Sequence, residues 1–97
     1  MYSMASVVTN KKRFKVIKLS YDEATTKCGF GFYGKVILCD DCNKKVAHDE
    51  ELYYVAVLNF VFCKDCYDKW YKTATHYKED RKIEERNFKA YAKILNI

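Results

Sequence analysis

The spacing of apolar positions changes character several times along the chain, and each change predicts an element. Phe14-Lys15-Val16-Ile17-Lys18-Leu19 reads as a first strand with Lys15 and Lys18 toward water. Residues 1–12 before it have no periodicity and are expected to be frayed. Ser20-Tyr21-Asp22-Glu23 fits a capping box, so a short helix is expected through Ala24 to Cys28, stopped by Gly29. Lys35-Val36-Ile37-Leu38 then leads into Cys39-Asp40-Asp41-Cys42, and Lys44 to Ala47 is expected to return beside it as a small hairpin. Leu52 to Leu58 and Phe60 to Phe62 are β-prone runs joined at the turn-tolerant Asn59, which predicts a second hairpin. From Lys64 the period becomes helical: Tyr67, Trp70, Tyr71 and Ala74 share one face, with Asp65, Asp68, Lys69 and Lys72 on the other. Thr75 to Lys78 reads as a break. A last helix is expected from Glu79-Asp80, with Ile83, Phe88, Tyr91, Ala92, Ile94 and Leu95 as its apolar positions.

Ninety-seven residues are enough for one domain, residues 1–97, with a modest core. Nine Tyr, six Phe and one Trp supply the apolar mass that a disordered tail would lack. The formal charge of +5 is mildly basic, well short of a dense positive field. Met1 to Lys15 contains no apolar signal-peptide core, and no apolar run approaches the ~20 residues that cross a bilayer. A cytoplasmic protein without membrane contact is therefore expected, in a compartment where its five cysteines stay reduced. A disulfide framework would leave one of the five unpaired.

The chemistry concentrates in two C-x-x-C pairs, Cys39/Cys42 and Cys63/Cys66, with twenty residues between them. Four thiolates brought together suit one tetrahedral zinc ion, with Zn–S distances of about 2.3 Å. A rubredoxin-like iron site uses the same donors, and a thiol–disulfide site would need one pair at a helix start, where Cys63/Cys66 stands. The fifth cysteine, Cys28, ends the short helix and reads as a small buried apolar residue. His48 and His76 have no metal-ligand spacing with it. Gly29, Gly31 and Gly34 read as a flexible turn, since no Gly-Lys-Ser/Thr follows to make a phosphate loop. The carboxylates Asp40, Asp41, Asp49, Glu50 and Glu51 sit in turns with water as their expected partner. No Ser/His/Asp set or open three-ligand metal site can be drawn. A non-enzymatic protein without a small-molecule substrate is expected.

Knuckle, hairpin, then a helix carrying the last two cysteines is an order that resembles the treble-clef zinc fingers. Cys63-Lys64-Asp65-Cys66-Tyr67 running into a helix is similar to the second half of a GATA-type finger or of a LIM-type zinc module. The resemblance covers residues 35–75 and implies Cys39, Cys42, Cys63 and Cys66 as ligands of one structural Zn2+. The expected architecture is α+β: a treble-clef finger with an N-terminal β-α-β extension and a C-terminal helix over residues 79–97. The Arg-rich context with which GATA-type fingers read DNA is missing. The expected function is a zinc-binding module for protein contacts. Its partner is another protein or a second copy, met through the C-terminal helix around Phe88, Tyr91 and Leu95. The alternative is a DNA- or RNA-binding finger using Lys11, Lys12 and Arg13 with Lys64, Lys69, Lys72 and Lys78. Against it, Asp65, Asp68, Glu79, Asp80, Glu84 and Glu85 intersperse the opposite sign. A redox-responsive thiol protein comes third.

Overall fold

In a computed structural model, which describes residues 5–8, 10–26, 28, 37–46 and 50–97, the chain is α+β. Its elements are β1 (Ser6–Val8), β2 (Val16–Ser20), α1 (Tyr21–Thr26), β3 (Glu51–Val55), β4 (Phe60–Phe62), α2 (Lys64–Thr73) and α3 (Arg81–Leu95). A single 3-10 turn, Lys78–Asp80, leads into α3. The four strands form one antiparallel sheet in the order β1-β2-β3-β4.

Both faces of that sheet are covered, so every position of β2 and β3 except Glu51 is buried or half-buried. The register pairs Ile17 with Tyr54 and Leu19 with Leu52 on one face. It pairs Val16 with Val55 and, one strand over, Tyr53 with Phe62 on the other. The first face packs with Ala24 of α1, with Ile37 and Val46, and with Leu95 of α3. The second packs with Phe14 and with Cys66 and Tyr67 of α2, flanked by Trp70 and Tyr71.

The N-cap half of the capping box at Ser20 is present: its hydroxyl accepts the Glu23 N–H at 3.2 Å and donates to the Glu23 carboxylate at 3.2 Å. The second hairpin is present too, with a four-residue turn, Ala56 to Asn59, in place of a turn at Asn59 alone. Asn59 takes a left-handed φ of 55°, and its side-chain oxygen accepts the Tyr54 hydroxyl at 2.6 Å. Asn tolerates that conformation better than most residues.

Three expectations need correction. Ser6–Val8, inside the stretch expected to be frayed, is an edge strand paired with Val16–Lys18 of β2. The link is braced by Asn10, whose side chain donates to the Phe14 carbonyl at 2.7 Å and accepts the Phe14 N–H at 2.9 Å. No periodicity announces a three-residue strand. Second, β2 pairs directly with β3 over five residues, so among the described residues the expected N-terminal strand is not part of a separate extension; β2, β3 and β4 share one sheet. Leu38 makes only a single bridge, to Lys45. The expected glycine turn (Gly29, Gly31, Gly34) and His48 lie outside the described residues.

Third, the side of α3 around Phe88, Tyr91 and Leu95, expected to meet a partner, faces the core. Leu95 and Ala92 are buried, and Phe88 and Tyr91 pack half-buried against the same core. Tyr91 lies against Tyr54 with ring centroids 4.5 Å apart. The surface around Phe88, Tyr91 and Leu95 is thus largely taken up by packing inside the molecule, with part of Phe88 and Tyr91 left at the surface. Ile83 and Ile94, in contrast, are 48% and 47% exposed. The helix ends in a Schellman arrangement, with Asn96 left-handed and Ile97 N–H bonded to the Ala92 carbonyl at 3.0 Å.

Candidate metal centre

The first cysteine pair is carried by a tight hairpin. Val46 N–H bonds to the Ile37 carbonyl at 2.9 Å, Cys39 N–H to Lys44 at 3.1 Å, and Asn43 N–H closes back on Cys39 at 2.9 Å. Asn43, just past the pair, is left-handed with φ 58°, another position where Asn is well tolerated. The second pair straddles the start of α2. Cys63 is the extended residue before the helix and Cys66 lies in its first turn, so both sulfurs meet the positive end of the helix dipole.

The two pairs come together. The sulfurs of Cys39, Cys42, Cys63 and Cys66 all lie within 4.8 Å of one another. A tetrahedral ion with Zn–S bonds of about 2.3 Å needs S···S separations of about 3.8 Å. The observed set therefore needs a contraction of at most about 1 Å, a side-chain rotation rather than a backbone change. Cys39 and Cys66 are buried, Cys63 is half-buried and Cys42 is exposed. The donor set fits a metal ion and, with four soft sulfur ligands, fits zinc well.

Hydrogen bonding prepares one of the sulfurs, that of Cys39, for that charge. Burial opposes the Cys39 thiolate, but the N–H groups of Cys42, Cys63 and Asp41 and the Cys66 thiol outweigh it, bringing Cys39 down to about 7. The Cys63 N–H points at the Cys39 sulfur at 3.4 Å. Burial pushes the Cys66 thiol up, and hydrogen bonds to the other three cysteines and Asp41 add to the rise. Burial likewise raises Cys63. Without metal, then, the cluster holds its protons unequally; a bound divalent ion would expel them. Four lysines, Lys44, Lys45, Lys64 and Lys69, and two acids, Glu50 and Asp65, line the cleft beside Cys42, Cys63 and Cys66, so the charged groups around the sulfurs are net positive.

One residue at the site has a role its sequence context did not reveal. Asp40, expected to face water, accepts the Val61 N–H at 2.6 Å, while its own N–H donates to the Val61 carbonyl at 2.9 Å. This two-way bond ties the first hairpin to β4, two residues before Cys63. Its partner is backbone 21 positions away, and backbone has no side-chain signature to read.

The remaining candidates go elsewhere. Cys28 packs half-buried against the opposite face of the sheet and is not in the sulfur group. His76 is not a surface residue: its Nε2 lies 2.9 Å from Glu84 Oε1, both side chains almost buried, and its ring meets Phe14 edge-on at 4.9 Å. Glu84 also accepts the Lys15 N–H at 3.1 Å, so this pair pins α3 to the start of β2. Among the basic residues at 11–13, Lys12 is committed. Its ammonium group donates to the Tyr71 and Ala74 carbonyls at the end of α2, where a cation favours the helix dipole. The aromatic stripe of α2 is packed as well, with Tyr67 stacked on Tyr53 at 4.6 Å and Trp70 tilted against Phe14 at 4.7 Å.

Compared with protein-family models, curated proteins and solved structures, the chain shows no match. Among the described residues, no helix is long and apolar enough to cross a membrane.

Proposed function

We propose that this chain is a small zinc-binding protein whose four-cysteine centre is structural and whose biochemical role is contact with another protein. The observation that carries the reading is the convergence of Cys39, Cys42, Cys63 and Cys66 within 4.8 Å, where the first hairpin meets the start of α2. Hairpin, β3–β4 and α2 follow in the order of a treble clef, which supports that assignment for residues 35–75. Four protein thiolates fill a tetrahedral shell and leave no position for substrate or water, which supports a non-enzymatic role. A bound ion would hold the first hairpin against α2; that is the chemistry it supplies.

Nucleic-acid binding is the second reading, favoured by the basic residues exposed along α3. Weighing against it, Lys12 is engaged in capping α2, and the rings that would stack bases are packed on Phe14 and Tyr53. Elemental analysis of protein purified without added metal should give near one zinc per chain. Titration with mixed DNA and RNA oligomers at low and physiological salt should show no binding at the higher salt. Protein that folds fully without metal defeats the structural-zinc reading, and tight, salt-sensitive oligomer binding would exchange the first reading for the second.

A further inference from the structure

The outward side of α3 has a composition that the fold does not use. At about 100° per residue, Ile83, Ala90 and Ile94 fall within an arc of about 40°. All three are exposed, and Ile97 continues the row past the helix end at 44% exposure. Asn87, between them, donates its side-chain amide to the Ala56 carbonyl at 2.9 Å. That bond brings the β3–β4 turn alongside, with Leu58 39% exposed. The next arc, about 60° wide, carries Lys82, Arg86, Lys89 and Lys93, all exposed. Lys89 pairs with Glu85 at 3.1 Å on the same helix. The core-facing residues, Phe88, Tyr91, Ala92 and Leu95, lie on the other side.

The juxtaposition selects its occupant. An aliphatic row this narrow falls well short of the roughly 100° stripe that a helix lays into an apolar layer, which disfavours a lipid surface. A second copy meeting the same face would set Lys and Arg against Lys and Arg. A phosphate chain would satisfy the cations but lie along isoleucines, with no aromatic platform beside it. A helix with aliphatic residues on one edge and carboxylates on the next satisfies both arcs at once.

We propose that the outward face of α3 docks an acidic amphipathic helix of a partner protein. Ile83, Ile94 and Leu58 receive its aliphatic row, and Lys82, Arg86 and Lys93 pair with its carboxylates. The inference rests on the protein-contact reading above and names the surface and the partner chemistry.

The test uses the zinc-loaded full chain and fluorescence anisotropy. The probe is a labelled synthetic peptide of about 20 residues with Leu at helical spacing among Glu and Ala. A scrambled peptide of the same composition, a single-stranded DNA oligomer and vesicles containing phosphatidylserine serve as competitors. The patterned peptide should bind, more weakly as salt rises, and the scrambled peptide should bind far less. Ile94→Asp, and separately the combined Lys82→Glu, Arg86→Glu, Lys93→Glu variant, should each weaken binding by about tenfold or more. Both alter exposed positions, so zinc content and circular dichroism should be unchanged. Lys11→Glu should leave binding as it was. Absence of peptide binding overturns the proposal, as does equal binding of the scrambled peptide. Peptide binding that survives both α3 variants overturns it too, while leaving the protein-contact reading intact. Preferential binding of the DNA oligomer overturns both. Preferential vesicle binding, or a dimer abolished by the same variants, assigns the face to lipid or to a second copy instead.

Discussion

The two faces of the sheet solve the same problem with different materials. On one, Ile17, Leu19, Leu52, Tyr54 and Val61 are closed over by α1 and by Leu95, Tyr91 and Phe88. The cover is carbon packed on carbon, pinned at its rim by the His76–Glu84 pair. On the other, Val16, Val55 and Phe62 lie under Phe14, Tyr67 and Trp70, and the layer ends in the cysteines. There α2 buries only Cys66 and Tyr67 fully. Burying a large side chain contributes about 1.5–3 kcal/mol, so one tyrosine and two half-buried aromatics hold a ten-residue helix weakly. Zinc binding to finger peptides is worth about 10–16 kcal/mol, more than the net stability of most small domains. On the zinc reading proposed above, the first face should stand on its packing and the second should depend on its sulfurs.

The widest separation between the faces should follow from removing the metal. Chelation, or Cys66→Ser, is expected to release zinc and abolish hydrogen-exchange protection across Lys64–Thr73 and the first hairpin. Protection in β2 and β3 should fall later or to a smaller degree. If α2 stays fully protected without metal, the aromatic layer alone suffices and the contrast between the faces is wrong.

Much of this was legible in the chain, for reasons that differ between elements. The cysteine pairs are local, and their spacing survives any choice of register; the Tyr67-Trp70-Tyr71 stripe is a helical period that tertiary packing has no reason to override. The capping box at Ser20 is likewise contained within four residues. What stayed hidden was set by long-range pairing. Ser6–Val8 becomes a strand only because β2 offers an open edge. Asp40 and Lys12 act on backbone groups far along the chain. Ile83 and Ile94 belong to the apolar pattern of α3 by residue type, yet their positions fall outside the arc that faces the sheet.

A second effect, smaller and confined to the carbon face, is expected from Leu95→Ala. Leu95 is 1% exposed, and truncating such a leucine costs about 2–5 kcal/mol through lost transfer energy and the cavity left behind. The denaturation midpoint should fall accordingly, while metal analysis still gives one zinc per folded chain. Loss of zinc in this variant would mean that the two faces stand or fall together.

The smallest effect tests a tie between the first hairpin and the sheet that involves no metal. Asp40 bonds Val61 in both directions, but its side chain is at the surface, where water can replace a lost partner. Asp40→Ala removes the carboxylate and keeps the backbone half of the pair. A hydrogen bond of this kind contributes about 0.5–1.5 kcal/mol net, so the midpoint should shift by about that much. Asp40→Asn should shift it less, because the amide oxygen still accepts the Val61 N–H. Zinc content should stay at one per chain in both, with faster release to a competing chelator in Asp40→Ala, since groups that orient a ligand-bearing loop tune metal affinity. Were Asp40→Ala and Asp40→Asn indistinguishable from the parent in both midpoint and release rate, the Asp40 carboxylate would contribute nothing to holding the first hairpin.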